Sequence, residues 1–324
     1  MAQTPSFMDS ILPFTVTDLD IRGRVVKCGE ALQAILARHN YPDTVSAALA
    51  ELMLLTILLG SNLKFTGKIS LQTNSEGPIN LMLCDFSSEG FLRSYARFDK
   101  NALEEHSQKT CPPLHLLGKG VLAITLLPEA EHQKRYQAIV GLDGSSFEEI
   151  ASTYFNQSEQ IPTIIKIAAQ KFSPAHDENS AWYGGALFAQ ILPHNTQDKA
   201  ENQQDFFAKN QKDLNWEEAQ ALLSTIEGEE LFSPNISPQE LLYRLFHQHE
   251  VHLFPSQKIE EKCSCSTEKC YQILQNLTAK ERAQSMIEEK ITMDCAFCGR
   301  VYLFKAQDFP EKTSIKDKDQ EELS

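Results

Sequence analysis

Four cysteines near the C-terminal end, Cys263 and Cys265 in one pair and Cys295 and Cys298 in the other, form a CxC and a CxxC motif. Two thiol pairs about thirty residues apart are the donor set of a tetrahedral zinc site with Zn–S distances of about 2.3 Å. The CxxC half runs into Gly299, which lets a metal knuckle close so that backbone N–H groups face sulfur. In the CxC half, residues i and i+2 of an extended segment project to one side, so both sulfurs reach a single metal. They are also close enough to oxidise to each other. The motif therefore admits an inert four-thiolate staple or a site that oxidation takes apart, and the CxC alone balances the two evenly.

The segment between the pairs carries the signals needed to hold them. Ser266 caps a predicted helix bearing Cys270, Ile273, Leu274 and Leu277, and Thr278 with Glu281 caps a second bearing Ala283, Met286 and Ile287. Cys270 falls on the apolar stripe and reads as a core residue rather than a fifth ligand. Ile291 to Leu303 is a predicted hairpin whose turn is the knuckle.

The rest of the chain sets the context. With 324 residues and 42% hydrophobic content it can build one sizeable core plus a smaller module. A formal net charge of −14 repels nucleic-acid phosphates, so no nucleic-acid partner is expected. The N-terminal residues carry no basic stretch followed by an apolar one, so no secretory signal is read and the cysteines are expected reduced. Between Val45 and Leu63 the only charge is Glu51. Ser46, Thr56, Ser61 and Asn62 interrupt that run, which makes it a buried core helix rather than a membrane span.

The fold class expected is α+β. Val16 to Lys27 reads as a first strand, followed by an amphipathic helix with Ala31, Leu32, Ile35 and Leu36, then the apolar helix, with Thr44 as its cap. A β-rich block follows: Gly67–Thr73 and Ile79–Cys84 around a turn, then Phe91–Phe98, Val121–Leu126 and Arg135–Val140. A helix from Phe147 and a strand Thr163–Ala168 complete an N-terminal domain drawn as residues 1–185. Cys28, Cys84 and Cys111 are read there as buried apolar residues.

Residues 186–258 are drawn as a helical linker. Within it, 195–213 is a polar stretch expected to be a mobile insertion. Asn215 with Glu218 and Ser237-Pro238-Gln239-Glu240 each read as helix starts, leading helices at 215–228 and 238–247. Their apolar residues are Leu222, Leu223 and Ile226, then Leu241, Leu242, Leu245 and Phe246. Helices this short need something to dock on. His247, His249 and His252 read as solvated or capping groups. Residues 259–310 form the zinc module and 311–324 a charged tail expected to lack structure. No phosphate loop, dinucleotide fingerprint or nucleophile elbow is present, so the catalytic residues expected are none and the protein is read as a non-enzyme.

Several segments together resemble one family. They are Leu63-Lys64-Phe65-Thr66-Gly67, Glu76-Gly77-Pro78-Ile79-Asn80-Leu81, Arg135 to Leu142, Ser158 to Thr163, Leu241 to Phe246, and the whole cysteine framework with Gly299 to Phe304. The chain resembles the redox-regulated holdase chaperones of bacteria, the thirty-three-kilodalton heat-shock protein family, over about residues 15 to 309. The 195–213 insertion and the tail depart from that pattern. The resemblance implies an ATP-independent holdase of the oxidative stress response that binds unfolded or aggregating client proteins. It implies one Zn2+ per chain on Cys263, Cys265, Cys295 and Cys298 in a reduced, inactive state. Oxidation would then pair neighbouring cysteines, release zinc, and activate the protein with homodimer formation. The seven linker residues named above are the candidate client surface. A constitutive zinc-stapled interaction module and a zinc-ribbon nucleic-acid binder are the alternatives.

Overall fold

The computed structural model describes residues 5–106, 112–130, 132–158, 160–172, 180–192, 203–284, 286–287, 290–305 and 308–309. It divides into two compact units, Met1–Lys262 and Cys263–Ser324. Cys111, the tail from 311 and residues 195–202 of the polar stretch lie outside the described residues.

The first unit opens with a hairpin, β1 (Ser10–Val16) and β2 (Ile21–Cys28). This differs from a single strand over Val16–Lys27, because Thr17-Asp18-Leu19-Asp20 is a turn. Asp20 takes a φ of 55° and its N–H donates to the Thr17 carbonyl; Asp tolerates that left-handed backbone better than most residues. Helix α1 (Glu30–Leu36) buries Ala31, Leu32, Ile35 and Leu36. Helix α2 (Asp43–Gly60) follows; it starts at Asp43 after Pro42 with no side-chain cap, so Thr44 does not cap it. Strands β3 (Gly67–Ser75), β4 (Ile79–Ser87), β5 (Phe91–Phe98), β6 (Gly120–Pro128) and β7 (Tyr136–Gly141), with helices α3 (Lys100–His106) and α4 (Phe147–Ser158), lead to β8 (Thr163–Phe172) and β9 (Ala181–Ile191). Strand β9 runs through the point at which the sequence ends the first domain.

The linker holds three helices: α5 (Gln203–Ser224), α6 (Gly228–Phe232) and α7 (Pro238–Phe246). Helix α5 passes straight through Asn215, which is therefore no cap. Its amide donates to the Asp18 carbonyl and accepts from Gln211. The Ser237 hydroxyl does cap α7, accepting from the Glu240 N–H at 3.1 Å, with Pro238 at the first helical position. Three short strands close the unit: β10 (Val251–Leu253), β11 (Gln257–Lys258) and β12 (Glu260–Glu261).

Two sheets result, in strand orders β10-β1-β2-β9-β8, with β11 also on β1, and β12-β5-β4-β3-β6-β7. Helix α2 packs against strands of both, and one core joins Leu49, Leu52 and Leu55 to Val26, Phe188, Leu71 and Phe86. The 18-residue α2 is long and apolar enough to cross a bilayer, yet 78% of it is buried inside the unit. Cys28 and Cys84 are fully buried in this core, as expected.

The first sheet has a second buried face. Leu12, Phe14 and Val16 of β1, Ile21 and Val25 of β2 and Leu187 and Ala189 of β9 point away from α2 and form a separate core with the linker. There they meet Ala219, Leu223, Ile226, Leu231, Leu241, Leu242, Leu245 and Phe246, all buried, with Leu222 partly buried against them. Phe14 lies over Gly23, where a Cβ would sit 2.3 Å from the Phe14 ring, and packs its ring 6.1 Å from Phe246. Burial on both faces explains why β9 reads as a continuous apolar run rather than an alternation.

The second unit contains α8 (Thr267–Asn276), α9 (Ala279–Gln284) and a sheet of β13 (Met286–Ile287), β14 (Lys290–Asp294) and β15 (Val301–Lys305). Cys270, Leu274, Ile291, Tyr302, Phe304 and Phe309 make its small core.

Glu51, the lone charge of the apolar run, is pushed up to about 7 by burial and by the Glu148 carboxylate on α4. Its folded value lies above the ordinary 4.5, so the stability it contributes is present at low pH and is lost as pH rises through about 7. Replacing Glu51 with Gln is expected to raise unfolding free energy by on the order of 2–3 kcal/mol at pH 8 and by little at pH 4. Denaturant unfolding at the two pH values checks this; equal effects at both would contradict it.

Candidate metal centre

Each cysteine pair of the second unit is placed by its local sequence. Cys263 and Cys265 lie in an extended segment that ends where Ser266 caps α8, its hydroxyl accepting from the Lys269 N–H. Lys269 then folds back, its Nζ donating to the Ser264 carbonyl at 2.7 Å. Cys295 and Cys298 sit in the β14–β15 turn, closed by Gly299 N–H to the Cys295 carbonyl at 2.8 Å and Cys295 N–H to the Arg300 carbonyl at 2.9 Å. Gly299 has a φ of 69°, the left-handed backbone that a glycine adopts without strain. Thr278 and Glu281 form the expected reciprocal cap at the start of α9, which sets the chain direction into the hairpin.

These elements bring the four expected sulfurs to one point. All four lie within 4.8 Å of one another. Cys263 Sγ is 3.6 Å from Cys295 Sγ, and Cys265 Sγ is 3.4 Å from Cys298 Sγ. A tetrahedron of sulfurs about 2.3 Å from a central zinc has edges of about 3.8 Å, so the cluster has the size such an ion needs. The donor set is all sulfur, which suits zinc and excludes the hard oxygen-seeking cations. Cys263 also interacts with Cys265, and Cys298 with Cys295, so thiol contacts run both across and within the pairs, as the edges of one tetrahedron do.

Burial pushes the Cys263 thiol up to about 12, and it raises Cys298 as well. Burial also acts upward on Cys265, but the Tyr302 hydroxyl and the neighbouring thiols outweigh it and bring Cys265 down to about 7. Tyr302 donates to Cys265 Sγ at 3.1 Å. That second-sphere donor was not anticipated from the sequence. Its only signal is register: Tyr302 pairs with Met293 across the hairpin, two positions from Cys295, on the face that carries Phe304. Cys270 is 6% exposed within the small core and stands outside the four-sulfur cluster, as expected for a packing residue.

The seven linker residues lie elsewhere, in the first unit, on the second face of the first sheet. Of the three histidines, His249 is the one built into the structure: Nδ1 is 2.7 Å from the Asp18 carboxylate and Nε2 is 3.5 Å from Glu218. His247 packs beside the Tyr243 ring, and His252 lies beside Glu250 at the surface.

Comparisons with known proteins agree with this arrangement. The family model described as Hsp33 protein matches residues 9–305. A 33 kDa chaperonin of Caulobacter vibrioides is 32% identical over 298 residues, covering 91% of this chain and 94% of the relative. One of Salmonella typhi is 33% identical over 304 residues, covering 94% of each. Among solved structures, the 33 kDa chaperonin of Thermotoga maritima superposes with a TM-score of 0.71 at 20% identity, covering 92% of this chain and 96% of its own, which supports the fold. With its family model spanning nearly the whole sequence and its cysteine hairpin intact, the chain belongs to the Hsp33 family.

Proposed function

We propose that this chain is a redox-regulated, ATP-independent holdase of the cytoplasm, which binds unfolded or aggregating proteins and does no catalysis. The observation that carries this reading is the convergence of Cys263, Cys265, Cys295 and Cys298 on one four-sulfur site in a unit whose core, among the described residues, is small. Zinc held by these four thiolates would supply on the order of 10–16 kcal/mol of folding free energy to the module, without redox chemistry of its own. The six buried residues of its described core, Cys270 among them, are too few to hold the module once the sulfurs part.

Under oxidation the thiolates of Cys263 and Cys265 lose two electrons and join in one S–S bond, while hydrogen peroxide takes up those electrons and two protons to leave two waters. Cys295 and Cys298 do the same. Each pair is tethered through at most two intervening residues, so it stays in reach when the halves separate, whereas the cross-pair contacts of 3.4 and 3.6 Å do not.

The linker supplies the client surface. Residues Leu222, Leu223, Ile226, Leu241, Leu242, Leu245 and Phe246 and the sheet face beneath them are apolar, and α6 and α7 span only five and nine residues. Helices of that length hold their shape by docking. Cys263 follows directly on Lys262, whose N–H donates to the Leu92 carbonyl, so disorder in the module begins next to the last strand of the first unit. Released linker and bared sheet would then present apolar surface to clients and to a second copy, giving an active homodimer.

Three outcomes are expected. Protein purified under reducing conditions carries one zinc per chain by metal analysis. Cys298→Ser lowers zinc affinity by orders of magnitude, while Cys270→Ser leaves it unchanged; protein without zinc, or equal loss in both variants, contradicts the assignment. Peptide mapping after peroxide finds Cys263–Cys265 and Cys295–Cys298 linkages, and mainly Cys265–Cys298 linkages would contradict this order of events. In light scattering with a thermally aggregating client, peroxide-treated protein suppresses aggregation and reduced protein does not. A chain ending at Lys262, and Leu242→Asp, which places a carboxylate in an apolar seam at about 2–4 kcal/mol, are both active while reduced. Folded but inactive variants would instead favour a constitutive zinc-stapled module.

A further inference from the structure

Beneath α6 lies a lysine that the thiol chemistry does not use. Lys27 of β2 is fully buried on the linker side of the first sheet. Its Nζ donates to the Glu230 carbonyl at 2.7 Å and to the Ser233 carbonyl at 3.2 Å, at the C-terminal end of α6. At the neighbouring position on β9, Gly185 lets the linker backbone come so close that a Cβ would sit 1.9 Å from the Leu231 carbonyl oxygen. Residues 230, 231 and 233 are thus seated on the sheet by their backbone.

No carboxylate bonds to Lys27 among the described residues. Its strand partners are Ser10 on β1 and Gly185 on β9, neither charged. From the linker, Glu230 and Glu240 act on it, but both are held by Arg244, at 3.2 and 2.6 Å. Two acceptors face the amine. A neutral amine has two N–H groups to give them, whereas an ammonium has three, so its third donor lacks an acceptor and its charge is offset only in part, by Glu230 and Glu240.

We propose that Lys27 makes docking of the linker proton-sensitive, so that acidification loosens α6 from the sheet as a second input to the release that oxidation drives. The regulatory consequence rests on the holdase reading; the latch itself rests on the contacts of Lys27. Burial brings the docked amine down to about 7, with Glu230 and Glu240 recovering part of the loss, against an ordinary 10.5 once α6 lifts and water reaches it. Because its docked value is the lower one, the released state binds more protons between those values, and docking strengthens as pH rises. From pH 8 to pH 6 the docking equilibrium is expected to weaken about tenfold. Elsewhere on the linker His249 stands between Asp18 and Glu218, away from the contacts of Lys27.

Hydrogen exchange of the reduced full chain tests this, read as protection factors of amides in 228–246 after correction for intrinsic rates. In the parent protein protection falls about tenfold from pH 8 to pH 6. In Lys27→Gln, which keeps two N–H donors and cannot take a proton, and in Lys27→Met, which keeps the apolar stem, protection no longer falls on acidification. Parent protein with pH-independent protection overturns the proposal, as do Lys27 variants that retain the parent's response. Aggregation suppression of a client is recorded on the same samples. Loss of protection without suppression supports the latch and counts against the holdase reading alone.

Discussion

The first sheet is apolar on both faces, one covered by α2 and the other by the linker helices. Helix α2 seals the inner side, with Leu49, Leu52 and Leu55 against Val26 and Phe188. Phe14, Val16, Ile21, Val25 and Leu187 on the other side must be covered by something, and the chain supplies α6, α7 and the last turns of α5. Each fully buried large side chain there contributes about 1.5–3 kcal/mol, so the cover is favourable as a set, yet neither α6 nor α7 can persist without it. In the proposed reading such a surface is hidden or exposed as a unit, so that local chemistry elsewhere in the chain would change what the protein can bind.

The second unit meets the opposite difficulty. It has too little core to fold on apolar burial alone, and its two halves, the CxC segment and the β14–β15 hairpin, meet at four sulfurs. In the proposed account the stability of the module and the redox state of these thiols become one quantity. The polar contacts around the linker add graded control: Lys27 beneath α6, Gly185 under Leu231, and His249 between Asp18 and Glu218.

What could be read from the sequence was local. The cysteine pairs, Gly299, the Ser237-Pro238 start and the Thr278–Glu281 box are short-range patterns whose chemistry is complete within a few residues, and each appears where expected. Apart from the Thr17–Asp20 turn and the start of α2, several misreadings involve residues whose partners are far away in the chain. The stretch 195–213 reads as a polar insertion because its composition is dominated by Asn, Gln, Asp, Lys and Glu, yet residues 203–213 belong to α5; Gln, Ala and Lys still favour helix there. Asn215 has capping chemistry but spends it on the Asp18 carbonyl, nearly two hundred positions away by chain number. Strands β11 and β12 are two residues each, and only their partners β1 and β5 define them. Lys27 sits in an ordinary alternating strand, and nothing local distinguishes it from a solvated lysine.

The central claim is that the thiol site and the docked linker rise and fall together. It is tested most directly by adding peroxide stepwise to the zinc-loaded protein while recording, in one sample, free thiols, released zinc and hydrogen exchange in 228–246. The account predicts that linker protection is lost over the same doses that consume Cys263, Cys265, Cys295 and Cys298. Complete oxidation of those four cysteines with the linker still protected would contradict it.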